Sequence, residues 1–283
     1  MLKIALSHDI DRIDKSYQRI THSIKSIMKM DFKSVVFHLF SRNTYWGFDE
    51  IIHIESKYNV RSTHFFLNES IKLNLLKKPT YKLSLGRYSI YDNRIKEVIL
   101  FLDKNGWEIG LHGSYNSYKN HHLLLHEKSV LEEIVGHKII GTRQHYLNLN
   151  EETWHIQNYS NLKYDSSFGF NRTFGFKDKK ISPFFPLNND FIVFPQVIMD
   201  KPFMNDINKW QKLQTIFDES EENNGIVVIN WHNNYFNEKE FPGYKKTYIR
   251  LIEEGLKRKA VFKTLGEFYK DFAPANVDLK ILI

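Results

Sequence analysis

Two hydrophobic periods alternate along this chain, and their alternation outlines its elements. Leu2–Leu6 is an apolar run bounded by polar residues and predicts a first strand. From about residue 16 to 58 the period is helical: a helix is expected over Ser16–Met28, and apolar positions recur at helical spacing in Phe32–Phe40 and Phe48–Tyr58. Arg61–Leu67 predicts a second strand, while Lys77–Tyr91 has turn residues and tyrosines without a period and predicts a loop or hairpin over the strand tips. Asn93–Asn105 places Ile95, Val98, Ile99 and Leu102 on one helical face. Trp107–Leu111 then alternates, with apolar side chains at 107, 109 and 111, as a buried strand does.

The same reading continues to the C-terminus. A helix runs through Gly136 with Leu131, Ile134 and Val135 inward, and strands are expected at Lys138–Thr142 and Leu162–Tyr164 on either side of a short helix, Glu151–Ser160. Residues 168–190 read as an aromatic loop. Phe191–Met199 predicts a strand that Pro195, lacking an N–H, confines to an edge or a bulge. Ile207–Glu222 and Lys245–Lys257 predict helices around the fully apolar strand Gly225–Ile229, and a short strand at Ala260–Phe262 precedes a terminal helix. Helices between strands require parallel pairing. The expected architecture is therefore α/β, a deformed (β/α) barrel of seven or so parallel strands. With no repeat, low-complexity tract or linker, one domain over 1–283 is expected, carrying a helical insertion at about 16–58.

Composition narrows the classes. A chain of 283 residues with 42% apolar content supports a substantial core, and 15% aromatic content suits large core side chains or a carbohydrate-stacking surface. The net charge of +7 comes without a long basic block, so a nucleic-acid partner is not expected. No cysteine is present, which excludes disulfides and thiolate metal ligands. No run approaches transmembrane length and the start is not a signal peptide, so a soluble, cytoplasmic protein is expected.

Parallel strands bring their C-terminal tips to one rim, where α/β folds collect ligands and catalytic groups. Ser7-His8-Asp9-Ile10-Asp11 follows the first strand, and carboxylates two apart there repel unless a cation or proton lies between them. His112 ends the third strand, Arg143-Gln144-His145-Tyr146 the fourth and Asp165-Ser166-Ser167 the fifth; Asn230-Trp231-His232 ends the strand before the last long helix. His64, on a Phe-rich strand, reads as a satisfied core or rim residue. His121, His122 and His126 have one i,i+4 pair among them and read as a solvated helix start, and His22, His38 and His53 lie on helices without a partner pattern.

Taken in order, these clusters resemble the polysaccharide deacetylases of carbohydrate esterase family four, with the NodB-type fold. Ser7-His8-Asp9-Ile10-Asp11 resembles the first motif, which implies Asp9 as catalytic base and Asp11 as metal ligand. His112 matches the first histidine of His-[Ser/Thr]-x-x-His, with Ser114 and Tyr115 nearby, but Asn116 stands where the second histidine belongs. The motif Arg-x-Pro-[Tyr/Phe] is approximated by Arg143–Tyr146 with His145 for Pro, and the Asp motif by Asp165. An aliphatic residue three before a histidine is matched by Ile229 and His232, with Trp231 between.

The resemblance implies a divalent metal, zinc by expectation, held by Asp11 and His112. Asn116, His8, His64, His145 or a water would complete the set, His145 being the preferred substitute. It implies that the metal activates a water and polarises the carbonyl, that Asp9 takes the water proton and that His232 protonates the amine. Arg143 would keep Asp9 ionised, and Asp165 would pair with His232 and keep it protonated. The Tyr146 N–H would serve the oxyanion; Tyr146, Ser114, Tyr115 and Trp231 are the expected substrate contacts. The implied function is removal of N-acetyl groups from a sugar in a surface-glycan or polysaccharide precursor, nucleotide- or lipid-linked. The alternatives are a carbohydrate-binding or scaffold relative without turnover, and a hydrolase of another non-peptide C–N bond.

Overall fold

The computed structural model describes residues 1–41, 45–72, 74 and 80–272. In chain order the strands and helices are β1 (Lys3–Ile10), α1 (Tyr17–Met28), α2 (Phe32–Phe40), α3 (Phe48–Lys57), β2 (Ser62–Leu67), α4 (Thr80–Ser84), α5 (Asn93–Lys104), β3 (Glu108–Gly113) and α6 (His121–Val135). They continue with β4 (Gly141–Gln144), α7 (Thr153–Tyr159), β5 (Tyr164–Asp165), β6 (Ile192–Val193), β7 (Gln196–Met199), α8 (Asp200–Asn205), α9 (Lys209–Glu222), β8 (Val227–Asn230), α10 (Tyr244–Lys257), β9 (Val261–Phe262) and α11 (Leu265–Phe272). The sheet order is β6-β5-β4-β3-β2-β1-β8-β7, with every pairing parallel, and β9 joins β1 at Lys3 and Ile4. This is the deformed parallel barrel that the strand–helix alternation predicts.

The two edges of the sheet are consecutive in sequence. Phe191–Met199 does not run as one strand: it breaks at Phe194–Pro195, so that β6 pairs with β5 while β7 crosses to pair with β8. Pro195 has no N–H to give a ladder, and it falls at the crossing, where none is needed. Several predicted strands are displaced: the first runs on to Ile10, so that Asp9 lies within it, and the fifth is Tyr164–Asp165 rather than Leu162–Tyr164. The fourth is Gly141–Gln144 rather than Lys138–Thr142, and the third extends to Gly113, so Arg143 and His112 lie within strands rather than beyond them. Part of the expected 77–91 loop lies outside the described residues; the described part holds α4 and then Arg87 and Tyr88. The Tyr88 hydroxyl donates to the Ile10 carbonyl and accepts the Leu67 N–H, which covers the tips of β1 and β2.

Strand parity sorts the chemistry. Ala5, Phe65, Tyr164, Ile192 and Val228 face the barrel interior, closed below by Leu265, Phe268 and Tyr269 of α11. Ile4, Leu6, Val227 and Ile229 face the other way, against α3, α9 and α10. Continuing that alternation toward the rim puts Ser7, Asp9, His112, Arg143 and Asn230 on the inner face. His8 and His64, which are register partners on β1 and β2, fall on the outer face beneath the helices.

Within the expected 16–58 insertion, α3 packs as a barrel helix through Phe48, Ile51 and Ile54. The α1–α2 hairpin stands apart. The Asn233 side chain clasps its two ends, donating to the carbonyls of Arg12 (2.8 Å) and Tyr45 (2.7 Å). Gly47 permits this close approach, since a Cβ there would meet the Asn233 carbonyl at 1.9 Å.

Candidate active site

A cavity of about 530 Å³ opens at the C-terminal rim, lined among others by Asp9, Asp11, His112, His145, Asp200 and His232. Asp9, near the end of β1, is nearly inaccessible. Its Oδ1 accepts from Arg143 Nη1 at 2.8 Å and its Oδ2 from Asn230 Nδ2 at 2.7 Å. Arg143, fully buried, also bonds Ser7 Oγ and both the carbonyl and hydroxyl of Ser166, with its guanidinium 4.5 Å from the Phe65 ring centre. Burial alone would raise the Asp9 pKa. The charges of Arg143, His112 and His232 outweigh it and hold the carboxyl below its ordinary value, so Asp9 is ionised.

Asp11, just beyond β1, meets two histidines. His112 Nε2 lies 3.2 Å from its Oδ1 and His145 Nε2 3.6 Å from its Oδ2. The three side chains offer donor atoms all within 4.8 Å of one another. His112 Nδ1 stands 2.8 Å from the Arg143 carbonyl; a carbonyl only accepts, so Nδ1 carries a proton and Nε2 is the ring atom turned to Asp11. His145 Nδ1 faces Glu69 Oε2 at 3.7 Å. His145 thus lies between two carboxylates, with Arg87 Nη2 also 3.4 Å from its Nε2. Asp11 Oδ1 is buried with no hydrogen-bond donor, which suits a cation ligand. Burial would raise the Asp11 pKa, and His145 and His112 more than reverse it, leaving it well below the ordinary value. Asp11, His112 and His145 therefore fit a divalent ion, three protein ligands with open positions.

His232 stands across the cavity. Its Nδ1 is 2.6 Å from Asp200 Oδ2, which also accepts the His232 backbone N–H at 2.8 Å. Burial disfavours the charged ring, but Asp200, with Asp11 and Asp9 behind it, raises the pKa to about 10. His232 is thus an imidazolium with Nε2 free for the cavity. Tyr146 and Leu147 follow His145 with φ of 59° and 53°. These left-handed conformations, uncommon outside glycine, bring both residues to the cavity wall.

The structure corrects several expected roles. Asp165 does not pair with His232; it is fully buried and accepts from Gln157, Ser167 and Trp154, because Tyr164 faces the barrel interior and Asp165, next on β5, faces outward to α7. Asn116 does not line the cavity, since β3 stops at Gly113 and the chain turns away toward the 3-10 turn Ser117–Lys119. Ser114 and Tyr115 also lie outside it, their N–H groups held by Glu127 and Glu69. Trp231 has the outward parity and packs, fully buried, against Tyr244 and Tyr248. The 168–190 loop packs its rings on neighbouring elements, with Phe168 and Phe184 against Trp154 and Phe174 against Phe203. It gives the cavity Asn171 and Arg172 instead.

Asp200, Glu69 and Asn230 are the site residues that motif reasoning missed. All three sit at the end of a strand or one to two residues past it, which is the signal used for the other tips.

A second histidine–carboxylate group lies on the outer face and does not resemble a metal centre. Glu55 of α3 already accepts from Tyr248, His8, Ser62 and Trp107, at 2.6–2.8 Å. His8 Nδ1 also meets the Trp231 carbonyl. Burial, helped by His8, drives the His64 pKa well below its ordinary value. Glu55 is a structural hub whose two oxygens are already taken by four donors, while His64 meets Ser62 Oγ through Nε2 and leaves Nδ1 unpartnered.

No family model matches the chain, and no curated protein matches it by sequence. Solved structures do match it in fold. A protein assigned as a polysaccharide deacetylase in Mycobacterium smegmatis aligns over 95% of this chain and 89% of its own at 14% identity, with a TM-score of 0.60. Another so assigned, in Pseudomonas aeruginosa PAO1, aligns over 95% and 90% at 13% identity, with a TM-score of 0.59. A peptidoglycan N-acetylglucosamine deacetylase aligns over 95% and 88% at 12% identity, with a TM-score of 0.50. At these identities the likeness shows the fold: the chain has the barrel of the NodB-type deacetylases.

Proposed function

We propose that this protein is a metal-dependent hydrolase that removes the acetyl group from an N-acetylated sugar in a surface-glycan or polysaccharide precursor. The observation that carries this reading is the opposed bias of two groups in one cavity. Asp9 is held ionised by Arg143, and His232 is held protonated by Asp200. Amide hydrolysis needs that pair, a base for the attacking water and an acid for a poor amine leaving group.

Asp11, His112 and His145 would hold a divalent cation, zinc by their oxygen–nitrogen chemistry, which supplies Lewis-acid polarisation of the carbonyl and its attacking water. Asp9 accepts the proton of the attacking water while Arg143 and Asn230 fix its two oxygens. When the C–N bond breaks, His232 Nε2 delivers its proton to the amine nitrogen, and Asp200 steadies the ring through Nδ1. Arg172 and Lys201, both exposed on the cavity wall, suit a precursor that also carries an anionic group such as a phosphate.

The test is acetate release from N-acetylated sugar phosphates by zinc-loaded protein. Release that Asp9→Asn abolishes supports the reading. Release with no divalent metal, or equal release by Asp9→Asn, would sink it.

A further inference from the structure

The α1–α2 hairpin is built inside out. Soluble helices bury their apolar stripe, yet the side chains buried on α1 are Ser23 and Ser26, and none on α2 is buried. Of the nineteen large apolar side chains exposed among the described residues, nine lie between Ile20 and Phe40. Ile24, Met28, Met30, Phe32, Val36 and Phe40 are 52–81% exposed, and the most exposed of them, Met28 and Met30, sit at the hairpin tip. Apolar side chains exposed in this number on one short segment mark an interaction surface.

Charge selects the partner. Exposed Lys25, Lys29 and Lys33 rim the tip, and the one acid of the hairpin, Asp31, accepts the N–H and hydroxyl of Ser34 as the cap of α2. A second copy of this chain meeting the patch about a two-fold axis would set lysines against lysines. An anionic bilayer presents apolar depth under a negative surface, which matches apolar side chains ringed by lysines. We propose that the hairpin seats this protein on an anionic membrane surface, with Met28, Met30 and Phe32 entering the headgroup–acyl boundary and the lysines at the phosphates.

The hairpin is also rooted at the active site. Asn233, which clasps both its ends, follows His232 directly, and only five residues separate Asp11 from Tyr17. On the hydrolase reading, and resting on it, the seated protein works beside the bilayer, which favours an N-acetylated sugar carried on a lipid. The docking surface itself does not depend on that reading.

Flotation of the full chain with vesicles tests it. Binding is expected to vesicles of mixed phosphatidylglycerol and phosphatidylcholine, weakened by salt, and not to phosphatidylcholine alone. Each lysine removed should cost about fivefold in partitioning, so that Lys25→Ser/Lys29→Ser/Lys33→Ser loses about 100-fold. Met28→Ser/Met30→Ser/Phe32→Ser should also abolish flotation, and Phe101→Ser, exposed on α5 outside the hairpin, should leave it unchanged. Failure of the wild type to float, flotation indifferent to both triple variants, or a vesicle-free dimer dispersed by the apolar variant would each overturn the proposal. Asp9→Asn should float like wild type, and the hairpin variants should release acetate from a water-soluble substrate at the wild-type rate. Docking and hydrolysis can therefore fail independently.

Discussion

Replacing Asp200 by Asn preserves the shape of the His232 clamp and removes its charge. Asp200 Oδ2 accepts both the ring N–H of His232, at 2.6 Å, and its backbone N–H, at 2.8 Å. Burial opposes protonation of this ring, and Asp200 leads the carboxylates that reverse it and raise the pKa from 6.5 to about 10. A cation at Asp11 would offset the shares of Asp11 and Asp9, leaving Asp200 as the main charge that keeps His232 protonated. An opposite charge this close shifts a pKa by about 1–3, so Asp200→Asn should bring the alkaline limb of activity down by that amount. At pH 7 the protonated fraction then falls by about twofold at most, whereas at pH 9 it falls roughly 2- to 100-fold.

Acetate release against pH at saturating metal measures the limb, and an NMR titration of the His232 ring measures the pKa without turnover. Stability should follow the same linkage. A group whose pKa rises on folding stabilises fully below its unfolded value of 6.5 and loses that contribution as pH passes about 10. The Tm deficit of the variant should accordingly be largest at or below neutral pH, shrink as pH rises toward about 10 and be gone above it. A uniform loss of rate at every pH, with the limb and the NMR midpoint unmoved, refutes the reasoning and reduces Asp200 to a structural anchor.

Three further outcomes are expected. Glu69→Gln should weaken zinc binding about 10–100-fold by calorimetry with little change in fold, because Glu69 lies behind the His145 ring. Arg143→Met leaves Asp9 as a buried carboxylate without its cation and should cost about 3–5 kcal/mol, read as a Tm lower by roughly 6–20 °C. Glu55→Ala strands the donors of Tyr248, Ser62, Trp107 and His8 and should lower stability by about 3 kcal/mol or more in urea unfolding. The zinc stoichiometry of that variant should remain that of the wild type, which separates the structural hub from the metal site.

The alternating periods made the strand–helix order legible, and parallel pairing followed from it. What sequence spacing could not supply was register. A three-residue displacement of β4 decides that Arg143 points inward at Asp9, and the break at Pro195 sends β6 and β7 to opposite edges of the sheet. Parity explains why His8 and Asp9, adjacent in sequence, serve different purposes on opposite faces. Motif matching singled out Asp9, Asp11, His112, Arg143 and His232, and the fold brings these side chains together at the rim. It assigned the partner of His232 to Asp165, because no sequence rule distinguishes one strand-tip aspartate from another before β7 is laid beside β8. The hairpin showed helical spacing in the sequence, but only its packing revealed that the apolar side faces outward.

The central claim is that Asp11, His112 and His145 form one cation site beside Asp9 and His232. An anomalous-scattering map of zinc-soaked crystals at the zinc edge tests it most directly. The account predicts one strong peak within about 2.0–2.2 Å of an Asp11 oxygen and the Nε2 atoms of His112 and His145, with none at His8, Glu55 and His64. A peak at that second group, or none at the rim under saturating zinc, would contradict it.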